Sequence, residues 1–414
     1  MLSRRYGNIA RLHSTAPERE RAFLVGVETR RNGGATGASR WQAGSSLDEL
    51  ALLAQTAGAA VVATATQKLD SPNPSSYIGT GKVKEIVAQR PATGYTVVIF
   101  DDELSPSQQR NLENALGVKV LDRTALILDI FAMRARTREG RLQVGLAQAE
   151  YLLPRLAGQW SHLERLGGSG RQGAIGVRGP GEMQLETDRR LARERIGRLK
   201  REIESVRRQR SLYRRRRARS GVPIVALVGY TNAGKSTLMR ALSHAEVFVE
   251  DKLFATLDPL TRRIHLRSGR AALLTDTVGF IQKLPTQLVA AFQATLEELA
   301  EADLLLHVVD ITHPEAAQQS QTVDNTLKEL GLADKPRLTA LNKVDRFVQP
   351  DGSTITGLGE LEEYELGLAR HYPAAVLISA ERGWGLDELV ERIDGALRRS
   401  ERAAPVAATE GGWS

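Results

Sequence analysis

Gly229, four residues and then Gly234-Lys235-Ser236-Thr237 form the spacing of a loop that can cradle a phosphate chain. Glycines let the backbone wrap closely, so that the stretch Tyr230-Thr231-Asn232-Ala233 can aim its N–H groups at phosphate oxygens. Lys235 is placed to reach the β and γ phosphates, and the Ser236 hydroxyl to sit on Mg²⁺. An apolar run, Ile224–Val228, precedes the loop and a short helical pattern, Leu238–Ser243, follows it. The loop therefore stands between a buried strand and a helix N-terminus, whose dipole favours an anion.

Four more stretches bear on which nucleotide this is. Asp276-Thr277-Val278-Gly279 follows the apolar run Ala271–Thr275; its carboxylate can hold Mg²⁺ through water, and the Gly279 amide can meet the γ phosphate. Earlier, in Phe254-Ala255-Thr256-Leu257-Asp258-Pro259, Thr256 can place its hydroxyl on the ion and its amide on the γ phosphate. Later, Asn342-Lys343-Val344-Asp345 follows a strand. The Asp345 carboxylate can accept from N1–H and N2–H₂ of guanine, a pairing that adenine leaves unmet at a large penalty. Ser379-Ala380, at the end of the last strand, can bring a backbone N–H near guanine O6. The phosphate loop alone marks a nucleotide site but leaves ATP and GTP equally open, and Asn-Lys-x-Asp alone is weak and Ser-Ala weaker still. All five in this order specify GTP, with Lys235, Thr256 and Gly279 as catalytic candidates.

The elements that must carry these residues follow from the pattern of the chain. Its 414 residues leave room for two or three domains. There is no cysteine, which excludes disulfides and thiolate chemistry, and the seven histidines show no ligand spacing. No apolar run is long enough to span a membrane, and the N-terminus lacks a secretory stretch, so a cytoplasmic location is expected. From Ala22, strands alternate with helices (strands near 22–28, 60–65, 96–100 and 118–121), which predicts a small α/β domain over 22–136 after a polar leader. A helical hairpin is expected over 137–221. Leu142, Leu146, Ala149, Leu153 and Leu156 line its first helix, expected to run to about Leu166 with a kink at Pro154; Ala192, Ile196, Leu199, Ile203 and Val206 form a narrow seam on its second. A glycine-rich loop, 167–181, makes the tip. From 222 to 400 the α/β pattern resumes as a mostly parallel sheet with helices on both faces, followed by a short tail.

Charge is concentrated in one place. The net charge is +8, yet between Arg189 and Arg219 fifteen Lys/Arg face three acids, and the remainder of the chain is slightly acidic. So lopsided a run exceeds what self-paired, solvated helix faces need, and it predicts a polyanion partner. Arg171, Arg178, Arg189, Arg190 and Arg193 are the candidate polyanion contacts.

The motifs also carry a resemblance. Residues 223–398 resemble a translation-factor-type GTPase domain. Val228–Thr237, Leu253–Pro259, Asp276–Ile281, Gly179–Glu182, Gln184–Arg190, Tyr77–Lys82 and Asp122–Arg136 are similar to stretches of the HflX family. The resemblance covers about residues 22–398. It implies a GTPase that binds the large ribosomal subunit and its rRNA, splits ribosomes and aids recovery of stalled ones under stress. It also implies that the five candidate polyanion contacts touch RNA. The hairpin tip would approach the peptidyl-transferase region, association with the ribosome or peripherally with a membrane is allowed, and a monomer is expected. It also allows ATP-linked activity at Gly79–Gly81 and Asp101-Asp102, where a turn at a strand end is the simpler explanation. Members of the family often carry a further domain after the GTPase fold. Only Glu401–Ser414 follow here, so that domain is expected to be absent or vestigial. Phe280 stands after Gly279, where small signalling GTPases carry the glutamine that orients water, so slow intrinsic hydrolysis is expected until a partner completes the site. Two further readings stay open: a GTP-sensing RNA-binding module whose hydrolysis is incidental, and a GTPase of ribosome assembly or RNA modification.

Overall fold

The computed structural model describes residues 19–29, 43–156, 180–218, 221–243, 253–283, 298–348, 357, 360 and 375–403. Most of the expected tip loop, with Arg171 and Arg178, lies outside them.

The N-terminal domain is a four-stranded parallel sheet in the order β2-β1-β3-β4, formed by β1 (Arg21–Thr29), β2 (Ala60–Leu69), β3 (Val97–Phe100) and β4 (Lys119–Asp122). Helices α1 (Ala43–Thr56), α2 (Thr80–Thr93), α3 (Pro106–Leu116) and α4 (Arg123–Arg134) connect and cover it. Arg21, expected in the leader, opens β1. Local chemistry sets several ends. Ser105 and Gln108 form a capping box at α3, where Pro106 occupies the first turn and Gly117 closes the helix at φ 65°. Asp122 caps α4 by accepting from the Ala125 amide. Helix α4 is buried nearly all round, because the sheet lies on one side of it and α5 with part of the GTPase domain on the other.

Helices α5 (Arg138–Leu152) and α6 (Pro180–Ala218) form the hairpin. Glu139 pairs with Arg210 at 2.8 Å and Glu150 with Lys200 at 2.8 Å, so the partner number falls as the chain advances and the helices are antiparallel. The expected seam on α6 is half-buried. Helix α5 ends two residues before Pro154, which cannot continue the ladder.

The C-terminal sheet has the order β10-β9-β8-β5-β7-β6, from β5 (Ile224–Gly229), β6 (Leu260–His265), β7 (Ala271–Asp276), β8 (Leu304–Asp310), β9 (Arg337–Asn342) and β10 (Val376–Leu377). Every pair is parallel except β6 with β7. The central strands β5 and β8 are buried on both faces, which explains their unbroken apolar runs. Helices α7 (Lys235–Ser243) and α9 (Leu386–Ala403) pack on one face and α8 (Ala316–Glu329) on the other. Helix α8 escapes the sequence pattern because Gln319, Val323 and Leu327 are its only buried residues.

One apolar cluster joins the domains. Leu50, Leu53, Ile127 and Phe131 share it with Tyr230, Leu253, Phe254, Leu257 and Ile281.

Candidate active site

The phosphate loop leaves β5 at Gly229, whose φ of 151° and proximity to β8 both demand glycine; a Cβ there would lie 2.3 Å from the Val308 carbonyl oxygen. Gly234 is equally constrained, with φ 95° and the Asn342 amide nitrogen 2.2 Å from where a Cβ would stand. Asn342 ties two loops together. Its Nδ2 donates to the Ala233 carbonyl (2.8 Å) and its Oδ1 accepts from the Ala380 amide (3.0 Å).

Lys235 opens α7 and is 6% exposed. Its Nζ donates to the carbonyls of Gly229 (3.1 Å) and Tyr230 (2.8 Å). Burial pushes the ammonium pKa down to about 8, against the pull of the Asp276 carboxylate. Next to it three oxygens converge. Ser236 Oγ donates to Asp276 Oδ2 (2.7 Å), Thr256 Oγ1 donates to the same oxygen (2.9 Å), and the two hydroxyls are 2.8 Å apart. Asp276 is fully buried; burial raises its carboxyl pKa, while Lys235 and the two hydroxyls oppose the rise. Among the described residues its Oδ1 has no hydrogen-bond partner. One carboxylate and two hydroxyls are a hard-oxygen set suited to Mg²⁺ that keeps waters and takes phosphate oxygens. Among the described residues no group of three or more His, Cys, Asp or Glu could hold a metal without such help.

A cleft of about 320 Å³ opens above these groups. Thr231, Asn232, Gly234, Lys235, Ser236 and Thr237 line its floor, Phe254, Ala255, Thr256, Thr277 and Gly279 one wall, and Asn342, Lys343, Asp345 and Ala380 the far end. The loops at the carboxyl ends of β5, β7, β9 and β10 thus bring these candidates together. Gly279 has no room for a side chain: a Cβ would lie 2.9 Å from Thr231 Cα and 3.0 Å from Lys235 Nζ. Lys343 adopts φ 67° and pairs with Asp310 at 2.7 Å, which sets the turn that presents Asp345.

Other expected residues sit elsewhere. The Tyr230 side chain turns away from the cleft into the N-terminal domain, where its hydroxyl donates to Glu49 (2.6 Å) and accepts from the Gln282 amide (2.9 Å). Leu257 and Val278 pack into or against the interdomain cluster, and Val344 is buried beneath the turn that carries Asp345. Ser379 is fully buried, its Oγ accepting from the Arg382 amide at 3.0 Å and its amide donating to Trp384 at 3.1 Å. Because Asn342 already takes the Ala380 amide, a guanine O6 would have to displace it there. Phe280 is 4% exposed and packs under the sheet with Ala226, Val228, Leu299 and Leu305, so its own side chain does not enter the cleft, where small signalling GTPases place the glutamine that orients water.

The sequence reading missed Arg240, Arg346 and Glu381, which also line the cleft; no spacing rule marks them. It also read Asp101-Asp102 as a turn or second site. The structure makes this pair an interdomain joint: Lys283 donates to both carboxylates at 2.5 Å, and Arg123 meets Asp101 at 2.7 Å and also Glu49. Burial alone would raise the Asp101 pKa, but Arg123 and Lys283 outweigh it and hold the carboxyl below its usual range.

Residues 44–132 match the family described as GTP-binding GTPase N-terminal, 134–217 the GTP-binding GTPase Middle Region, and 224–343 the 50S ribosome-binding GTPase. A GTPase HflX of Caldanaerobacter subterraneus is 46% identical over 387 residues, 93% of this chain and 82% of that protein. Its counterpart in Alkalihalophilus pseudofirmus is 54% identical over 73% of this chain and 70% of its own length, and that of Escherichia coli 44% over 87% and 82%. With a phosphate loop, a metal-ready oxygen cluster and similarity at this level across all three parts, the chain belongs to the HflX family of GTPases.

Proposed function

We propose that this GTPase acts on the large ribosomal subunit, splitting or rescuing stalled ribosomes under stress. Support for the chemistry is the convergence of Ser236, Thr256 and Asp276 on one point beside Lys235. Mg²⁺ there would supply charge neutralisation on the β and γ phosphates, held by the Ser236 and Thr256 hydroxyls with Asp276 behind them. Lys235, now resting on loop carbonyls, would turn onto the β and γ oxygens. The Gly279 and Thr256 amides would meet the γ phosphate, and the Asp345 carboxylate the guanine edge.

The observation that carries the ribosomal reading is the exposure of Arg190, Arg193, Arg195, Arg198 and Arg201 along α6, which has few acids of its own to answer them. Arg190 reaches Glu194 only at 3.9 Å. Guanidinium groups displayed in this way match the phosphates of folded RNA. With Phe280 buried, the ribosome is the partner that would complete the water-orienting site. An ATP site in the N-terminal domain would have to share Asp101 and Asp102 with Arg123 and Lys283, so we read that pair as the joint. Among the described residues no helix is long and apolar enough to cross a membrane.

The test is GTP hydrolysis titrated with isolated large subunits at low and high salt. Turnover should rise many-fold with subunits and less so at high salt. Equal rates with and without subunits would sink the reading. If Thr256→Ala and Asp276→Asn stop turnover yet ribosomes still split with GTP bound, hydrolysis is incidental. Preference for precursor particles or free RNA would point to assembly instead.

A further inference from the structure

Asp258 lies two residues beyond Thr256, and its carboxylate reaches out of the GTPase domain. Oδ2 accepts from the backbone amides of Arg136 and Thr137, both at 2.9 Å, and Oδ1 from the Thr137 hydroxyl at 2.5 Å. Thr137 is the N-cap of α5, its hydroxyl accepting in turn from the Gly140 amide at 2.9 Å. Three donors thus meet one carboxylate at a helix end where N–H groups lack intrahelical partners and the dipole favours negative charge. Gly140 makes this approach possible, since a Cβ there would stand 2.3 Å from Asp258 Oδ1. On the other side of Thr256, Leu253 and Phe254 are buried in the interdomain cluster, and Phe254 meets Phe131 edge-on with centroids 4.6 Å apart. The segment bearing Thr256 is therefore anchored to the N-terminal domain before it and to the hairpin after it. Between the anchors the Thr256 hydroxyl lies 2.9 Å from Asp276 and 2.8 Å from Ser236.

We propose that Asp258 is a positioning residue. By capping the first helix of the basic hairpin it holds Thr256 at the metal oxygens, and so links occupancy of the nucleotide site to the seat of the hairpin. This rests on the reading of Thr256 as a ligand of the metal and the γ phosphate. Two residues of chain span at most about 7 Å. Thr256 therefore cannot withdraw far without pulling Asp258 off α5 or dragging the start of α5 with it.

The test uses the full chain with Asp258→Ala and, separately, Gly140→Ala. The second variant keeps the carboxylate but excludes it sterically, and alanine favours the helix, so folding is preserved. The Mg²⁺ concentration that half-saturates binding of a non-hydrolysable GTP analogue is measured beside GDP affinity and deuterium exchange at residues 136–140. Each variant should raise the Mg²⁺ half-point about tenfold, the effect of one charge-assisted contact, and leave GDP affinity at the wild-type value. The double variant should be no worse than either single one, and Asp258→Asn should fall between. In the wild type, exchange at 136–140 should slow when analogue and Mg²⁺ replace GDP; in both variants the slowing should vanish. An unchanged Mg²⁺ half-point in Asp258→Ala overturns the proposal, as does a parallel loss of GDP and analogue, which marks general destabilisation. Thr256→Ala separates the levels. If it too leaves the Mg²⁺ requirement unaltered, the reading of Thr256 falls and takes this one with it. If it responds while Asp258→Ala does not, only the proposal falls.

Discussion

Lys235 shows how one buried charge can be made ready for a ligand. Its ammonium is satisfied by two carbonyls of its own loop, yet burial pushes its pKa down to about 8. Phosphate oxygens would favour the charged form and raise that value. Below pH 8 the lysine is protonated both free and bound, and affinity is flat. Above it the free protein loses the proton that the complex keeps, so GDP affinity should fall by up to about tenfold per pH unit. Calorimetry in buffers of unequal ionisation enthalpy should show proton uptake on binding about one unit above that pKa. Uptake of zero would mean that the lysine is already fully charged. Asp276 has the opposite sense: burial raises its carboxyl pKa, so acidification should weaken metal binding sooner than it would for an ordinary carboxylate, and among the described residues its Oδ1 is left free to take a further donor or cation.

Between elements, the joint made by α1, α4 and the loop after β7 is ionic and deeply buried. Arg123 is 1% exposed and holds Glu49 and Asp101, while Glu49 also holds the Tyr230 hydroxyl. Arg123→Met would remove the buried cation shared by Glu49 and Asp101, leaving Glu49 with only the Tyr230 hydroxyl and Asp101 with Lys283 and Ser46, and should cost about 3–5 kcal/mol. Arg392→Met, which breaks a solvent-exposed pair with Glu388, should cost under about 1 kcal/mol. Urea unfolding of the full chain, followed at the first transition, would show whether the two differ; equal midpoints would mean that the joint adds nothing. Each element of this joint was visible in the sequence as a strand or helix, but its purpose was not. Asp101-Asp102 reads as a turn at the end of β3, and nothing near it in the chain names Lys283 as its partner.

Taken as one molecule, the protein carries its positive charge on α6 and its nucleotide chemistry in the C-terminal sheet, joined by α5 and the Asp258 cap. Arg210 bridges the parts directly, reaching Glu139 at 2.8 Å and Glu298 at 3.3 Å. Charge displayed on a rigid helix predicts a steep salt dependence for subunit binding. Arg190→Gln with Arg193→Gln should flatten the log–log slope by about one to two units, since each lost phosphate contact removes about 0.7–0.9. GTP affinity should stay unchanged, and sedimentation with large subunits at several salt concentrations measures the slope. An unaltered slope would place the RNA contacts elsewhere on the molecule.

Sequence alone determined the chemistry that neighbours along the chain can express. Gly229 to Thr237 marks a phosphate-binding loop, because its glycines, lysine and hydroxyl lie within nine residues between a strand and a helix, and alternating apolar runs already point to two α/β sheets. Tertiary structure decided what depends on distant partners. Asp258 and Thr137 are 121 residues apart, Tyr230 and Glu49 181, and Lys283 and Asp101 182. A carboxylate or a tyrosine has no preference of its own for such partners. The burial of Leu253, Phe254 and Leu257 in the cluster shared with α1, α4 and α5 helps bring them within reach, and that packing energy is not written in any local pattern.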